Sequence, residues 1–266
     1  MEKEILIFGH KNPDTDSICS AMVKERLNKK NGHDSSVAVR LGNINKETQY
    51  VLNYLNLEAP ELKEEVAEGQ KVIMVDHNEF NQSIKGIEKA KILGVVDHHR
   101  IANFETSDPL YYTARPYGCT STILFQDFKG KGIEINREEA ILMASAIISD
   151  TLLLKSPTTT KHDEKALEEL EKIAGIDIKE YGLEMLKAGT DLDDFTAKEL
   201  INLDAKELDK NGIKFVIGQV NTVDIPSVLE RQEELEKAIE EELKEKELAL
   251  FVLAITDILN SNSEIL

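Results

Sequence analysis

Tryptophan is absent from the 266 residues, and there are only two cysteines, Cys19 and Cys119. Their separation matches no metal-binding spacing, which excludes a thiolate zinc site and a disulfide framework. A pair of thiols without a staple role fits a reducing compartment. The opening residues MEKEILIFGH hold no apolar stretch of signal-peptide length, so the expected location is cytoplasmic. No stretch approaches the roughly 18 apolar residues of a membrane span. Positive charge is also scarce: 32 Lys and Arg stand against 50 Asp and Glu, a net charge of -18. A surface that negative repels nucleic acid and anionic membranes. It still admits a small anionic substrate, provided bound cations reverse the local sign.

A chain this long can bury roughly 75% of its unfolded surface and needs no cross-links. Its first half alternates short apolar strings with helical spacing. Strand-like strings fall at 4–8, 37–41, 71–75 and 92–96, and helical stripes at 18–27 and 48–55. A polar helical stretch is expected between the last two strands. Strands apolar throughout, alternating with helices, imply a parallel sheet covered by helices on both faces. Helices at 120–128, 138–149, 161–174 and 178–186 follow. AGTDLDD, 188–194, reads as a linker. Beyond it the pattern restarts with strands at 203–208, 215–220 and 248–256 and one long charged helix at 225–247. The fold class is therefore α/β. The expected domains are 1–188, a linker 189–194, and a smaller α/β domain 195–266. The run EELEKAIEEELKEKE reads as a solvated helix face over a stripe of Leu235, Ile239 and Leu243.

Three strand ends carry the chemistry. EILIF runs into Gly9, His10, Lys11, Asn12, Pro13, Asp14, Thr15 and Asp16. KVIMV runs into Asp76, His77, Asn78 and Glu79, and ILGVV into Asp97, His98, His99 and Arg100. In open α/β sheets ligands bind beyond the carboxyl ends of the strands, so these groups should converge on one rim. A fourth piece is Ser149–Asp150, at the end of the apolar helical run 140–148. A carboxylate there faces the unfavourable end of the helix dipole and calls for a cation. Oxygen-rich ligands with some imidazole and no thiolate suit Mn²⁺ or Mg²⁺, with Co²⁺ or Zn²⁺ as alternatives. The carboxylates are too many for one ion and would repel one another without metal. A pair of divalent ions with one Asp bridging resolves this. His33 and His162 read as ordinary surface histidines, and Arg100 as an ion-pair partner. His77 reads either as a packing residue or as a support for the ligands.

GHKNPDTDSI, VDHNE, VDHHR and SDTLLLKSPT, in that order, resemble the motifs of the DHH phosphoesterase superfamily. The forms DTDSI and DHNE are similar to the family II, manganese-dependent inorganic pyrophosphatases. The likeness continues through GCTSTI, MLKAGTDL, LDAKEL, QVNTVD and ITDIL. It implies a dinuclear Mn²⁺ site, with Mg²⁺ or Co²⁺ able to substitute and further Mg²⁺ entering with substrate. One ion falls to His10, Asp14 and Asp76, the other to Asp16, Asp76, His98 and Asp150, and Asp76 is the bridge. His99 faces the substrate, and Lys206 reaches the phosphate under attack. The implied reaction is hydrolysis of pyrophosphate to two orthophosphates by a metal-bridged hydroxide. Two domains with the site in the cleft between them, and a homodimer joined through the first domain, are also implied.

On an extended strand neighbouring side chains point opposite ways, which separates the tasks of His98 and His99. His98 is left to metal, His99 serves the leaving phosphate as general acid, and Asp97 orients a ligand histidine. The family closes on Ser-Arg-Lys-Lys-Gln, whose Arg and first Lys grip pyrophosphate. This sequence closes on NSNSEIL and holds no Arg-Lys pair. The expectation is a second domain without its last strands and helix, intact metal binding and weak hydrolysis. Two alternatives stand beside this reading: an exopolyphosphatase or other phosphohydrolase of the superfamily, and a metal- and phosphate-binding protein without turnover.

Overall fold

A computed structural model describes residues 4–266, which divide into two units between Met185 and Leu186. In the first, six strands form one sheet in the order β3-β2-β1-β4-β5-β6. They are β1 (Ile5–Phe8), β2 (Ser36–Arg40), β3 (Glu61–Leu62), β4 (Lys71–Val75), β5 (Lys91–Asp97) and β6 (Tyr111–Ala114). Every neighbouring pair is parallel. The order reverses between β1 and β4, which opens a crevice beyond their carboxyl ends.

The helices of this unit are α1 (Thr15–Lys30), α2 (Lys46–Leu55), α3 (Thr120–Lys131), α4 (Arg137–Thr151), α5 (Lys161–Ala174) and α6 (Ile178–Gly189). Their starts follow from capping chemistry: Asp14, Asn45, Asn136 and Thr160 each turn a side-chain oxygen onto a free amide of the first turn. One face of the sheet, with Leu6, Phe8, Val72 and Met74, packs on Val66, Ile84 and Ile87. The alternate residues Ile5, Ile7, Ile73 and Val75 are also buried and point the other way. On that side α1 packs against β1, β2 and β4, and α3 against β5. α4 lies on α1, and α5 on α4.

The polar helical stretch expected between β4 and β5 is two single 3₁₀ turns, Phe80–Gln82 and Ile87–Lys89. Gly86, at φ 87°, caps the second and interrupts any longer helix. α6 runs on to Gly189, so the first residue of the expected linker 189–194 is helical.

In the second unit, α7 (Ala197–Asn202) precedes β7 (Asp204–Lys210) and β8 (Ile213–Thr222). α8 (Ile225–Leu229), α9 (Gln232–Glu245), β9 (Leu250–Asp257) and β10 (Asn262–Ile265) follow. The sheet order is β10-β9-β8-β7, and the β8–β9 pair is parallel between two antiparallel pairs. One sheet face supplies Val216, Val220, Leu253 and Ile255 to a core with Leu200, Ile201, Leu235 and Ile239. The single helix expected at 225–247 is broken at Glu230–Arg231. The Arg231 guanidinium donates there to the carbonyls of Leu192 and Phe195, at 3.3 and 2.9 Å. Among the described residues no helix is long and apolar enough to cross a membrane.

Candidate metal centre

β1 delivers its ligands through Gly9. A Cβ there would stand 2.5 Å from Ser17 Cβ, so only glycine lets the start of α1 close onto the strand end. That approach puts Ser17 Oγ 2.8 Å from Asp76 Oδ2, to which it donates. Asp14 has two tasks. Its Oδ1 accepts from the Ser17 amide at 2.9 Å as the N-cap of α1, and its Oδ2 lies 3.4 Å from His10 Nε2. Asp16 sits in the first turn, where the helix dipole favours an anion.

β4 runs straight into Asp76, in the left-handed region at φ 58°. Aspartate tolerates that conformation better than a branched residue does. Its amide donates to the Val96 carbonyl of β5 at 2.9 Å, which holds the turn against the neighbouring strand. The carboxylate then points across the strand ends. It lies 3.5 Å from His10 Nε2 and 3.3 Å from His98 Nε2. β5 stops at Asp97, so His98 and His99 leave extended backbone. Their rings do not point opposite ways, as the strand rule had suggested. They stand 4.2 Å apart at 64°, both within reach of Asp76.

Their partners divide them instead. His98 Nδ1 donates to the Tyr117 carbonyl at 3.0 Å, which leaves Nε2 with its lone pair toward Asp76 and Asp150. His99 Nδ1 donates to Asp97 Oδ1 at 2.9 Å. Asp97 therefore orients His99 rather than His98. Its other oxygen accepts from Asn78 Nδ2 at 2.5 Å. The hydrogen bond to Asp97 raises the His99 pKa against the opposing effect of burial.

Three groups of side chains bring ligand atoms within 4.8 Å of one another: His10, Asp14 and Asp76; Asp16, Asp76, His98 and Asp150; and Asp76, His98 and His99. All seven belong to the site read from the sequence. Lys206 lies on β7 of the second unit and is exposed. His77 belongs to none of the groups. Its Nδ1 donates to the Val75 carbonyl at 2.9 Å, its ring packs near Phe8, and burial lowers its pKa to about 4. Arg100 pairs with Glu79 at 3.4 Å.

The donor set fits hard divalent cations. Burial first, then Asp16 and Asp14, raise the Asp76 pKa well above the carboxylate range. Burial, Asp16 and Asp76 do the same for Asp150. Imidazole neighbours do not neutralise this much negative charge, and cations would.

Sequence reasoning missed the residues that hold the ligands. The Thr120 amide donates to Asp16 Oδ2 at 2.7 Å, the Ser121 amide to Oδ1 at 3.3 Å, and Ser20 Oγ to Oδ1 at 2.5 Å. Thr120 Oγ1 donates to Asp76 Oδ1 at 3.2 Å. Buried Asp163 anchors that loop, accepting from the Gly118 amide at 2.9 Å and from Thr122 Oγ1 at 2.6 Å. The signal available was the small polar run GCTST, in which every side chain or amide is free to donate.

The chain leaves α4 just past Asp150 through three consecutive left-handed leucines, Leu152, Leu153 and Leu154, at φ 48°, 53° and 65°. Leu153 fills the place a side chain on Gly182 of α6 would take: a Cβ there would stand 2.5 Å from Leu153 Cδ2.

A doubly wound parallel sheet with a carboxylate–imidazole cluster at its switch point defines a metal-dependent phosphoesterase-type domain. Residues 4–147 match the DHH family, N-terminal domain, and residues 183–266 the DHHA2 domain. The chain belongs to the DHH family, among the family II inorganic pyrophosphatases. It is 57% identical to the manganese-dependent inorganic pyrophosphatase of Bacillus subtilis strain 168, over 99% of this chain and 85% of that protein. It is also 57% identical to a Staphylococcus carnosus protein described as a probable manganese-dependent inorganic pyrophosphatase, over 98% of this chain and 84% of the relative. A Methanococcus jannaschii crystal structure assigned to family II inorganic pyrophosphatase superposes with a TM-score of 0.71. That match has 40% identity and covers 98% of this chain and 86% of that one.

Proposed function

We propose that the chain hydrolyses inorganic pyrophosphate to two orthophosphates at a dinuclear manganese site. The observation that carries the reading is Asp76, which belongs to every group of close ligand atoms and so suits a bridge. His10 and Asp14 complete one set, and Asp16, His98 and Asp150 the other. When bound, the two ions supply positive charge against the phosphoryl oxygens and acidify water. The remaining chemistry belongs to the chain. Hydrolysis breaks one P–O bond of the bridging oxygen, and the departing phosphate takes up a proton. His99 is suited to give it: Asp97 holds Nδ1 and favours the protonated ring, which leaves Nε2 for the substrate. The Tyr117 carbonyl keeps His98 in the tautomer a ligand needs. Lys206 is assigned to the phosphate under attack, on the likeness of LDAKEL to the family motif. The cytoplasm and a homodimer joined through the first unit belong to the same reading.

The test is metal analysis with phosphate release. Protein loaded with Mn²⁺ should hold about two ions per chain and split pyrophosphate in preference to tripolyphosphate. A stoichiometry of one, or equal rates on both substrates, overturns the reading.

A further inference from the structure

One carboxylate behind the cluster has no part in that chemistry. Glu47 lies in the first turn of α2, where the helix dipole favours its charge. It belongs to none of the ligand groups. Its Oε1 accepts from Thr15 Oγ1 at 2.6 Å and from Ser149 Oγ at 2.5 Å. Thr15 is the first residue of α1, between Asp14 and Asp16. Ser149 precedes Asp150 at the end of α4. Thr15 spends its one proton on Glu47, so Thr48 Oγ1, 3.1 Å away, donates to Thr15. Thr15 and Thr48 are both fully buried. Ser149 also departs from its own helix. Ser145 and Thr151 return their hydroxyls to carbonyls four residues back, Ile141 and Ile147, whereas Ser149 reaches across to α2.

We infer that Glu47 is a positioning residue. By holding Thr15 and Ser149 on one oxygen it fixes α1, with Asp14 and Asp16, against the end of α4, with Asp150, and so sets the spacing of the two cation sites. The inference rests on the dinuclear reading above. It separates the residues that hold the ions from one that sets the distance between them.

The experiment is Mn²⁺ titration of the full chain by calorimetry, with electron paramagnetic resonance of the loaded protein. Glu47→Gln keeps Oε1 as an acceptor, and Glu47→Ala removes it. Expected for Glu47→Ala is a loss of about 10- to 100-fold in affinity for Mn²⁺ and a changed exchange coupling between the two ions. Glu47→Gln should stay within about threefold of the parent, with the parent coupling. The Thr15→Val/Ser149→Ala pair should reproduce the alanine loss, and Glu47→Ala on top of it should cost nothing more. Ser149→Ala alone, a mild change, should show part of the loss even if Glu47→Ala fails to fold. The inference is overturned if Glu47→Gln falls as far as Glu47→Ala, if the losses add in full, or if coupling and affinity stay at parent values throughout. A parent protein that binds fewer than two Mn²⁺ sinks the dinuclear reading itself, whereas a parent that binds two beside unaffected variants sinks this inference alone.

Discussion

In the first unit, Asp16, Asp76, Asp97, Glu139 and Asp163 are each at most 1% exposed, and Glu139 is met by the Lys30 ammonium at 2.6 Å. In the second, the buried acids among the described residues are Glu242 and Asp257. Glu242 is met by the ammonium of Lys246 at 2.6 Å. Asp16 and Asp163 are met by amides and hydroxyls, and the charged partners of Asp76 are histidines. The difference separates two uses of a buried carboxylate. The protein gives Glu139 and Glu242 each a lysine, and lets Asp163 and Asp257 accept from backbone amides. Around the strand ends of the first unit it supplies neutral donors that orient the oxygens and leave their charge for something else to balance. Apolar packing differs in the same sense. The second unit buries one face of its sheet and leaves Leu208, Ile217, Leu250 and Ile265 exposed on its strands.

The largest test of this contrast is Asp76→Asn. It removes the one residue common to all three groups, so bound Mn²⁺ should fall below one per chain and phosphate release by roughly 10³- to 10⁵-fold. Unchanged stoichiometry would mean that the uncompensated charge is not what gathers the ions. Next comes the histidine pair. His99→Gln should keep its metal and lose turnover by about 10²- to 10⁴-fold. His98→Gln should weaken Mn²⁺ binding first, and equal metal loss in both would erase the distinction drawn from their Nδ1 partners. Leu253→Ala tests the second unit. Leu253 is fully buried in its core, so truncation should cost about 2–5 kcal/mol in denaturant unfolding while Mn²⁺ uptake stays at the parent value. A parallel loss of metal would tie the units energetically. The smallest effect is expected for Ile217→Thr on the exposed sheet face. Stability should stay within about 0.5 kcal/mol, and a larger loss would mean that this face is covered in solution.

The strand ends could be read in the sequence because strands buried on both faces are apolar strings, and a charge directly after one marks its carboxyl end. That logic located His10, Asp14, Asp16, Asp76, His98 and His99. It failed wherever the chain is short or polar. β3 is two exposed residues, β10 is exposed throughout, and β6 sits on the sheet edge with Tyr111 in solvent. α7, six residues long, gives too little periodicity to detect. The alternation rule misjudged His98 and His99 because β5 stops at Asp97, before either histidine. Glu47, Thr120 and Asp163 escaped for another reason. Each is an ordinary surface-type residue until a partner 32 or more positions away in the sequence turns it inward.

The leucine turn after Asp150 carries a consequence for descent. A left-handed residue with a side chain costs roughly 1–2 kcal/mol, so three in a row would be a burden unless packing held them there. Leu153 is held by the gap that Gly182 leaves on α6. A change to alanine at Gly182 closes the gap and drives Leu153 out. Shortening Leu153 empties the gap and removes the reason for a helix-weakening glycine. Neither position can drift alone. Across the lineages that share this turn, leucine and glycine should be inherited as a pair and lost as a pair, although 28 residues lie between them.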